Sequence, residues 1–388
     1  MGQNYRLTAP HLRERLSWGG KLGEILFDTS ADCLVYLFAR PVIPSERDCD
    51  KEKSNPSSSQ RDEPNIATVS GSIVSSRKRP LPDRSEPVKR LRSSPHLLTL
   101  PTELHLLIFN CLVGDIDDIF RLSLTCQQFW IIAKPMITKY FASSLGIWAG
   151  TPIICIGDET SEDPDCYPPG LLDSEDRDEL RQGLNKDEEC EYLREIDEYS
   201  LEVVRLPMNL WTLSEVRYEV PEVPGFDSFP QTLMATALNY PYSYPQDIRR
   251  VADPRPSSFY PTDRPWILRN LTTREFVTSQ AIALKPDFVH GPFIDVIGFG
   301  EVILSRVCWS SWESVSMAYK GGIHQGVWAG HMLDIVPLDA LNDDIDSPWK
   351  DISNEVAEEI AAIWKSRYGE NWRDIFWENC YNAHPGPG

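Results

Sequence analysis

The clearest hydrophobic pattern in the chain lies between residues 96 and 145, where large apolar side chains recur at helical spacing. Leu104, Ile108 and Leu112 fall four apart on one face of a predicted helix. Pro101 suits the first turn of that helix, because its missing N–H would have no partner there. Two further short helices are predicted, the last reaching toward Pro135, from the apolar positions Ile119, Phe120, Leu122, Cys126, Phe129, Trp130 and Ala133. A piece of this size cannot hide so much apolar surface internally, so the pattern predicts a partner.

A different pattern follows in residues 201–340, where aromatic and β-branched runs are bounded by proline and glycine. We expect strands over Leu201–Arg205, Trp266–Leu271, Glu275–Thr278, Val315–Tyr319 and Gly326–Val336. Apolar residues four apart predict a helix over Glu301–Trp309, and another after Ser353 and Asn354 that stops near Gly369. The predicted fold class is therefore α+β, a three-helix module attached to a mixed α/β C-terminal domain.

Composition divides the chain into five parts. Residues 1–43 are too few to be stable alone, so we expect them to pack on the C-terminal domain. Residues 44–95 are rich in Ser, Pro and charged side chains, which predicts a disordered linker. Residues 96–145 form the helical module, residues 158–198 an acidic insertion, and residues 199–380 a C-terminal recognition domain.

Charge is distributed unevenly. The formal net charge is −20, and residues 158–198 hold seventeen acidic residues against four basic ones. Such density repels itself, which predicts an insertion or loop with a helix near residues 187–198. The acidic excess also repels phosphate backbones, so we expect no nucleic-acid partner.

Basic residues concentrate in the linker, in the clusters Arg77-Lys78-Arg79 and Lys89-Arg90-Leu91-Arg92. Arg77, Lys78, Arg79, Lys89, Arg90 and Arg92 resemble a bipartite nuclear import signal, and the alternative is an ordinary solvated charge run. The start of the chain lacks a secretory pattern, and the most apolar stretches are too short to span a membrane. We expect a nuclear and/or cytoplasmic protein without a membrane partner.

The order Leu100-Pro101-x-Glu103-Leu104, followed by Ile108-Phe109, Leu112, Asp118-Ile119, Leu122-Ser123 and Cys126, resembles the F-box. Thr125 and Phe129 depart from the residues usual there, although Trp130 is adjacent to Phe129. The resemblance implies docking on a Skp-type adaptor, which bridges to a cullin and its RING partner in SCF-type ubiquitin ligases. The remainder of the chain would then select an unknown target protein.

Carried over residue by residue, the resemblance implies an adaptor-binding set of twelve side chains: Leu100, Pro101, Glu103, Leu104, Ile108, Phe109, Leu112, Ile119, Leu122, Cys126, Phe129 and Trp130. The alternative for this segment is a helical hairpin in the core of the larger domain. The flanking residues 1–41, 265–277 and 298–336 are more weakly similar to a group of uncharacterised fungal proteins, some of which contain an F-box.

Evidence for catalysis is slight. Gly298-Phe299-Gly300 lacks the third glycine of a phosphate-binding fingerprint. His324, His331 and Asp334 are close enough in sequence to be weighed as zinc ligands, but a polar turn residue and satisfied core histidines are the commoner explanation. We therefore expect a non-catalytic protein with no metal and no cofactor. The alternatives are a nuclear scaffold that binds the adaptor without ubiquitin ligase function and an unrecognised enzyme in the C-terminal domain.

Overall fold

The computed structural model describes residues 2–27, 31–43, 97–188, 208–223, 233, 246–313, 315, 317–342 and 348–374. The chain divides into two compact units, one formed by Met1–Ile43 with Lys134–Gly388 and the other by Pro44–Ala133. We call the first the large unit and the second the helical unit. The fold is of the mixed α+β class, as predicted.

The helices in the described ranges are α1 (Leu22–Phe27), α2 (Asp32–Phe38), α3 (Thr102–Cys111), α4 (Ile116–Ser123), α5 (Gln127–Ala142), α6 (Ser174–Gln182), α7 (Leu210–Arg217), α8 (Gln246–Ala252), α9 (Ser279–Ile282), α10 (Phe299–Val307) and α11 (Ser353–Tyr368). The strands are β1 (Asn4–Ala9), β2 (Glu14–Arg15), β3 (Gly20–Lys21), β4 (Ile154–Gly157), β5 (Trp266–Asn270), β6 (Glu275–Thr278), β7 (Val289–His290), β8 (Phe293–Ile294), β9 (Cys308–Trp309), β10 (Leu333–Pro337) and β11 (Lys350–Asp351).

The first sheet of the large unit joins segments that are far apart in sequence. Its order is β2-β1-β4-β9, and β3 also pairs with β1. β1 pairs antiparallel with β4, with Leu7 opposite Cys155, and β4 pairs parallel with β9, with Cys155 opposite Cys308. The N-terminal segment therefore supplies a strand inside this sheet.

The second sheet has the order β10-β5-β6-β11. β5 and β6 form a hairpin, and β10 pairs antiparallel with β5 so that Leu333 lies opposite Asn270. Arg274 adopts a positive φ of 58° in the turn between β5 and β6. β11 adds a parallel edge strand to β6.

Helix α10 lies at the centre of the large unit, since every one of its residues is buried. It approaches the N-terminal segment closely, because a Cβ added at Gly300 would lie 2.2 Å from the carbonyl oxygen of Ala31. Glu301 is buried and accepts hydrogen bonds from the amides of Gly298 (2.7 Å) and Ala31 (3.3 Å). These contacts hold Ala31, directly before α2, against the start of α10.

The acidic segment differs from the loop that its charge predicted. Residues 173–182 form a capped helix, in which Asp173 accepts from the amide of Asp176 and Asp176 accepts from the amide of Asp173. The apolar side chains of this segment are buried in a cluster with β4 and α7, namely Tyr167, Leu171, Leu172 and Leu180. Within the described part of this segment, Glu179 pairs with Arg13 and Glu188 with Arg217, both arginines lying outside it. The helix expected near 187–198 lies mostly outside the described residues.

Several predicted elements were placed correctly and others were wrong. β5, β6, α10 and α11 lie where the pattern predicted them, whereas the prediction over Leu201–Arg205 lies outside the described residues. The described residues of Val315–Tyr319 form no strand. Gly326–Val336 is a strand only from Leu333, because Gly330 at a φ of +79° turns the chain before it.

Candidate docking surface of the helical unit

Helix α3 begins directly after Pro101 and carries apolar residues on more than one of its faces. Pro101 precedes it with an extended ψ of 150°, and the Pro101 carbonyl accepts from the amide of Leu104 at 3.0 Å. On one face His105 and Phe109, four apart, are fully buried. The opposite face is the one that remains available to a partner.

The interior of the helical unit is aromatic. The ring of Phe129 meets that of Phe109 edge to face, with centroids 5.7 Å apart, and Phe120 meets Trp130 at 6.4 Å. Phe109, Phe120 and Phe129 are buried, as is Ile119. These rings hold α3, α4 and the first turns of α5 together.

His105 connects three parts of this unit. Its Nε2 lies 2.8 Å from the carbonyl oxygen of Leu97, and its Nδ1 lies 3.3 Å from the side-chain amide nitrogen of Gln128. A carbonyl only accepts, so Nε2 carries the hydrogen and Nδ1 accepts from Gln128. The ring also meets that of Phe129 edge to face, with centroids 5.0 Å apart. His105 therefore ties the segment before α3 to α3 and α5.

Asp115 fixes the start of α4. Its carboxylate accepts from the amides of Asp117 (2.9 Å) and Asp118 (3.2 Å) in the first turn of the helix, as an N-cap side chain does. Arg121 pairs with both of these acids one turn later. The break after α3 is thus followed by a capped helix.

The outer side of α3 forms an exposed apolar arc. Leu104 is 42% exposed, Leu107 is 58% exposed, and Cys111 is also exposed. With half-buried Ile108, they occupy positions i, i+3, i+4 and i+7 on one helix face. We call Pro101, Leu104, Leu107, Ile108 and Cys111 the α3 face.

The structure separates the twelve predicted adaptor-binding residues into three groups. The exposed ones are Pro101, Glu103 and Leu104, and the half-buried ones are Leu100, Ile108, Leu112, Leu122, Cys126 and Trp130. The remaining three are buried, namely Phe109, Ile119 and Phe129. Assigning these three to direct contact with a partner was wrong, because they face the interior of the unit and form its core.

Other exposed apolar residues of the helical unit were not among the twelve, namely Leu97, Leu98, Leu106, Leu107, Val113 and Ile131. The leucines at 97 and 98 directly precede the motif, so their position in the sequence was the available signal. Helix α5 runs through Pro135 to Ala142, further than the pattern predicted.

Two of the residues weighed as zinc ligands, Asp334 and His331, have other side-chain partners. Asp334 is fully buried, and its carboxylate accepts from Arg40 Nε at 2.8 Å and from Arg269 Nε at 2.9 Å and Nη2 at 2.8 Å. His331 Nδ1 lies 2.9 Å from the side-chain amide nitrogen of Asn270, and burial lowers the pKa of His331. In the described ranges, no group of three or more His, Cys, Asp or Glu side chains is arranged to hold a metal ion. This cluster joins the N-terminal segment to the second sheet.

The predicted nuclear import signal and the question of a membrane-spanning helix concern where in the cell the protein acts. The basic residues Arg77, Lys78, Arg79, Lys89, Arg90 and Arg92 lie outside the described residues. Among the helices that are described, none combines the length and the apolar character that crossing a membrane requires.

Comparison with protein-family models, with curated proteins and with solved structures found no match to this chain.

Proposed function

We propose that the chain is the substrate-recognition subunit of an SCF-type ubiquitin ligase, docking on a Skp-type adaptor through the helical unit. The observation that carries the proposal is the exposed apolar α3 face, within a sequence that resembles the F-box from Leu100 to Cys126. Exposed leucines at helical spacing are the surface that a partner covers in helix-mediated recognition.

The interior of the helical unit supports the same proposal. Phe109, Ile119 and Phe129 fill the core, so the leucines of the α3 face are not needed to complete it. His105 holds the segment from Leu97 in place next to α3. A surface that is fixed before binding loses less conformational freedom on association.

In this proposal the protein is not an enzyme. The helical unit binds the adaptor, which bridges to a cullin and its RING partner, while the large unit holds a target protein. Tethering raises the effective concentration of the target near the ubiquitin-charged enzyme. The basic clusters at 77–79 and 89–92 support a nuclear location for part of the population, since paired cationic segments are read by import carriers.

Co-purification tests the adaptor proposal. Full-length tagged protein is expected to retain both the Skp-type adaptor and the cullin, and Leu100→Ala with Pro101→Ala is expected to lose both. Leu12→Ala with Val220→Ala is the matched control, because both residues are exposed apolar side chains of the large unit. Equal retention by the Leu100/Pro101 variant, with its helix content unchanged in circular dichroism, would remove the proposal.

A further inference from the structure

The large unit carries an exposed tryptophan at residue 312. Trp312 is 47% exposed, whereas Trp148, Trp266, Trp328 and Trp364 are fully buried in the same unit. Large aromatic side chains are strong anchors at protein interfaces, because they bury a wide area with little loss of rotamer freedom.

The backbone of Trp312 is held from two directions. Its carbonyl oxygen accepts from Gln3 Nε2 at 2.7 Å, and its amide donates to Ser310 Oγ at 3.1 Å. Ser310 is fully buried, and its hydroxyl also donates to the carbonyl oxygen of Glu159 at 3.1 Å. The backbone of Trp312, three residues after β9, is therefore fixed, which lowers the ordering cost of binding through this residue.

The surroundings of this tryptophan are acidic. Glu313 follows it in the chain and is exposed. Glu159 is exposed, and its backbone lies beside the residues that precede Trp312, since its carbonyl oxygen also accepts from the amide of Ser311 at 3.3 Å. Residues 158–163 and 309–313, which these hydrogen bonds bring together, contain five acidic residues and no lysine or arginine.

We propose that Trp312, Glu159 and Glu313 form a docking surface for an arginine- or lysine-bearing segment of a partner protein. We call these three residues the Trp312 surface. The face of an indole ring attracts a cation, and neighbouring carboxylates add attraction of the same sign. A second copy of this chain presenting the same surface would be repelled by its like charge, and so would the phosphates of a nucleic acid.

A protein that carries such a basic segment would be the target of the ligase proposed above, and in this respect the inference rests on that proposed function. Binding at the Trp312 surface is nevertheless a property of the large unit, so it is measured without any adaptor. Failure of adaptor docking and failure of basic-segment binding therefore give different experimental results.

The probe is a fluorescein-labelled ten-residue peptide that alternates arginine with glycine and serine, compared with the same peptide carrying citrulline. Fluorescence anisotropy with the full-length protein is expected to show tighter binding of the arginine peptide. Trp312→Ala is expected to weaken that binding about 5-fold, and Trp312→Phe to keep most of it. Glu159→Gln with Glu313→Gln is expected to weaken binding and to reduce its dependence on salt.

The control variant Glu222→Gln with Glu358→Gln removes two exposed charges from elsewhere on the large unit and is expected to bind the peptide as the wild type does. Equal binding of both peptides, wild-type affinity in Trp312→Ala, or equal weakening by the control variant would each overturn the proposal. The same peptide is also tested against a variant in which residues 77–79 are changed to alanine. Tighter peptide binding by this variant would show that the chain's own basic cluster occupies the Trp312 surface, and would likewise overturn the proposal. Unchanged melting temperatures keep these readouts separate from misfolding.

Discussion

Replacing His105 with leucine tests how the helical unit holds its docking surface in place. The substitution keeps an apolar side chain in the interior but removes the hydrogen bonds to the Leu97 carbonyl (2.8 Å) and to Gln128 (3.3 Å). Each bond contributes about 0.5–1.5 kcal/mol net, and the edge-to-face contact with Phe129 contributes a similar amount. We therefore expect the local stability of this unit to fall by about 2–3 kcal/mol.

Hydrogen exchange is the appropriate assay, because it reports local opening separately for each of the two units. A loss of about 2–3 kcal/mol corresponds to roughly 30- to 150-fold faster exchange of the α3 amides in His105→Leu. His11→Leu, an exposed histidine of the large unit, is the control. Wild-type exchange of the α3 amides in His105→Leu would refute the reasoning, as would equal acceleration by the control.

Three further predictions concern packing, capping and pH. Gly300→Ala places a methyl group against the carbonyl oxygen of Ala31, so the free energy of unfolding of the large unit is expected to fall by about 1–3 kcal/mol, measured by thermal unfolding. Asp115→Ala removes the cap of α4 and is expected to cost the helical unit about 1 kcal/mol, measured by hydrogen exchange. Burial lowers the pKa of His331, so the folded state binds its proton less tightly than the unfolded state does. The stability contributed by neutral His331 is therefore present above its unfolded pKa of about 6.5 and is lost as pH falls below that value. His331→Gln is expected to make the melting temperature depend less on pH between about pH 7.5 and 5. The same slope in the variant would contradict this assignment.

The elements that could be predicted from the sequence are those whose cause is local. The recurrence of Leu104, Ile108 and Leu112 depends on residues within one or two turns, as do the apolar positions Ile119, Phe120 and Leu122. Helices α3 and α4 lie where these patterns predict them. The hairpin of β5 and β6 is similarly local. These elements include most of the candidate docking surface.

The elements that were missed depend on distant pairing. β1 lies inside a sheet because Tyr5–Thr8 pair with residues 154–157, and no pattern near the N-terminus specifies that partner. The acidic segment was predicted to repel itself because only the charges within residues 158–198 were considered, without the basic residues that pair with them from elsewhere in the chain. Arg13 and Arg217 are two of these partners, and they bind Glu179 and Glu188 from outside the segment.

Inside the helical unit, periodicity indicated which residues are apolar but not which of two apolar faces turns inward. Phe109 was therefore placed on the docking surface although it belongs to the core. His105 marks the inward face, because its ring is buried and has two hydrogen-bond partners. One of them, Leu97, precedes it in the chain, and the other, Gln128, follows it. A lone histidine in an apolar helix gives no local indication of such a role.

The affinity of the full-length chain for a purified Skp-type adaptor tests the central claim most directly. Leu104 and Leu107 are about half exposed, so an adaptor that covers them gains roughly 1 kcal/mol from each. Isothermal titration calorimetry is then expected to show wild-type binding and a Kd about 30-fold higher for Leu104→Ala with Leu107→Ala. The same Kd for the wild type and this variant, or no binding by the wild type, would contradict the assignment of the α3 face as the docking surface.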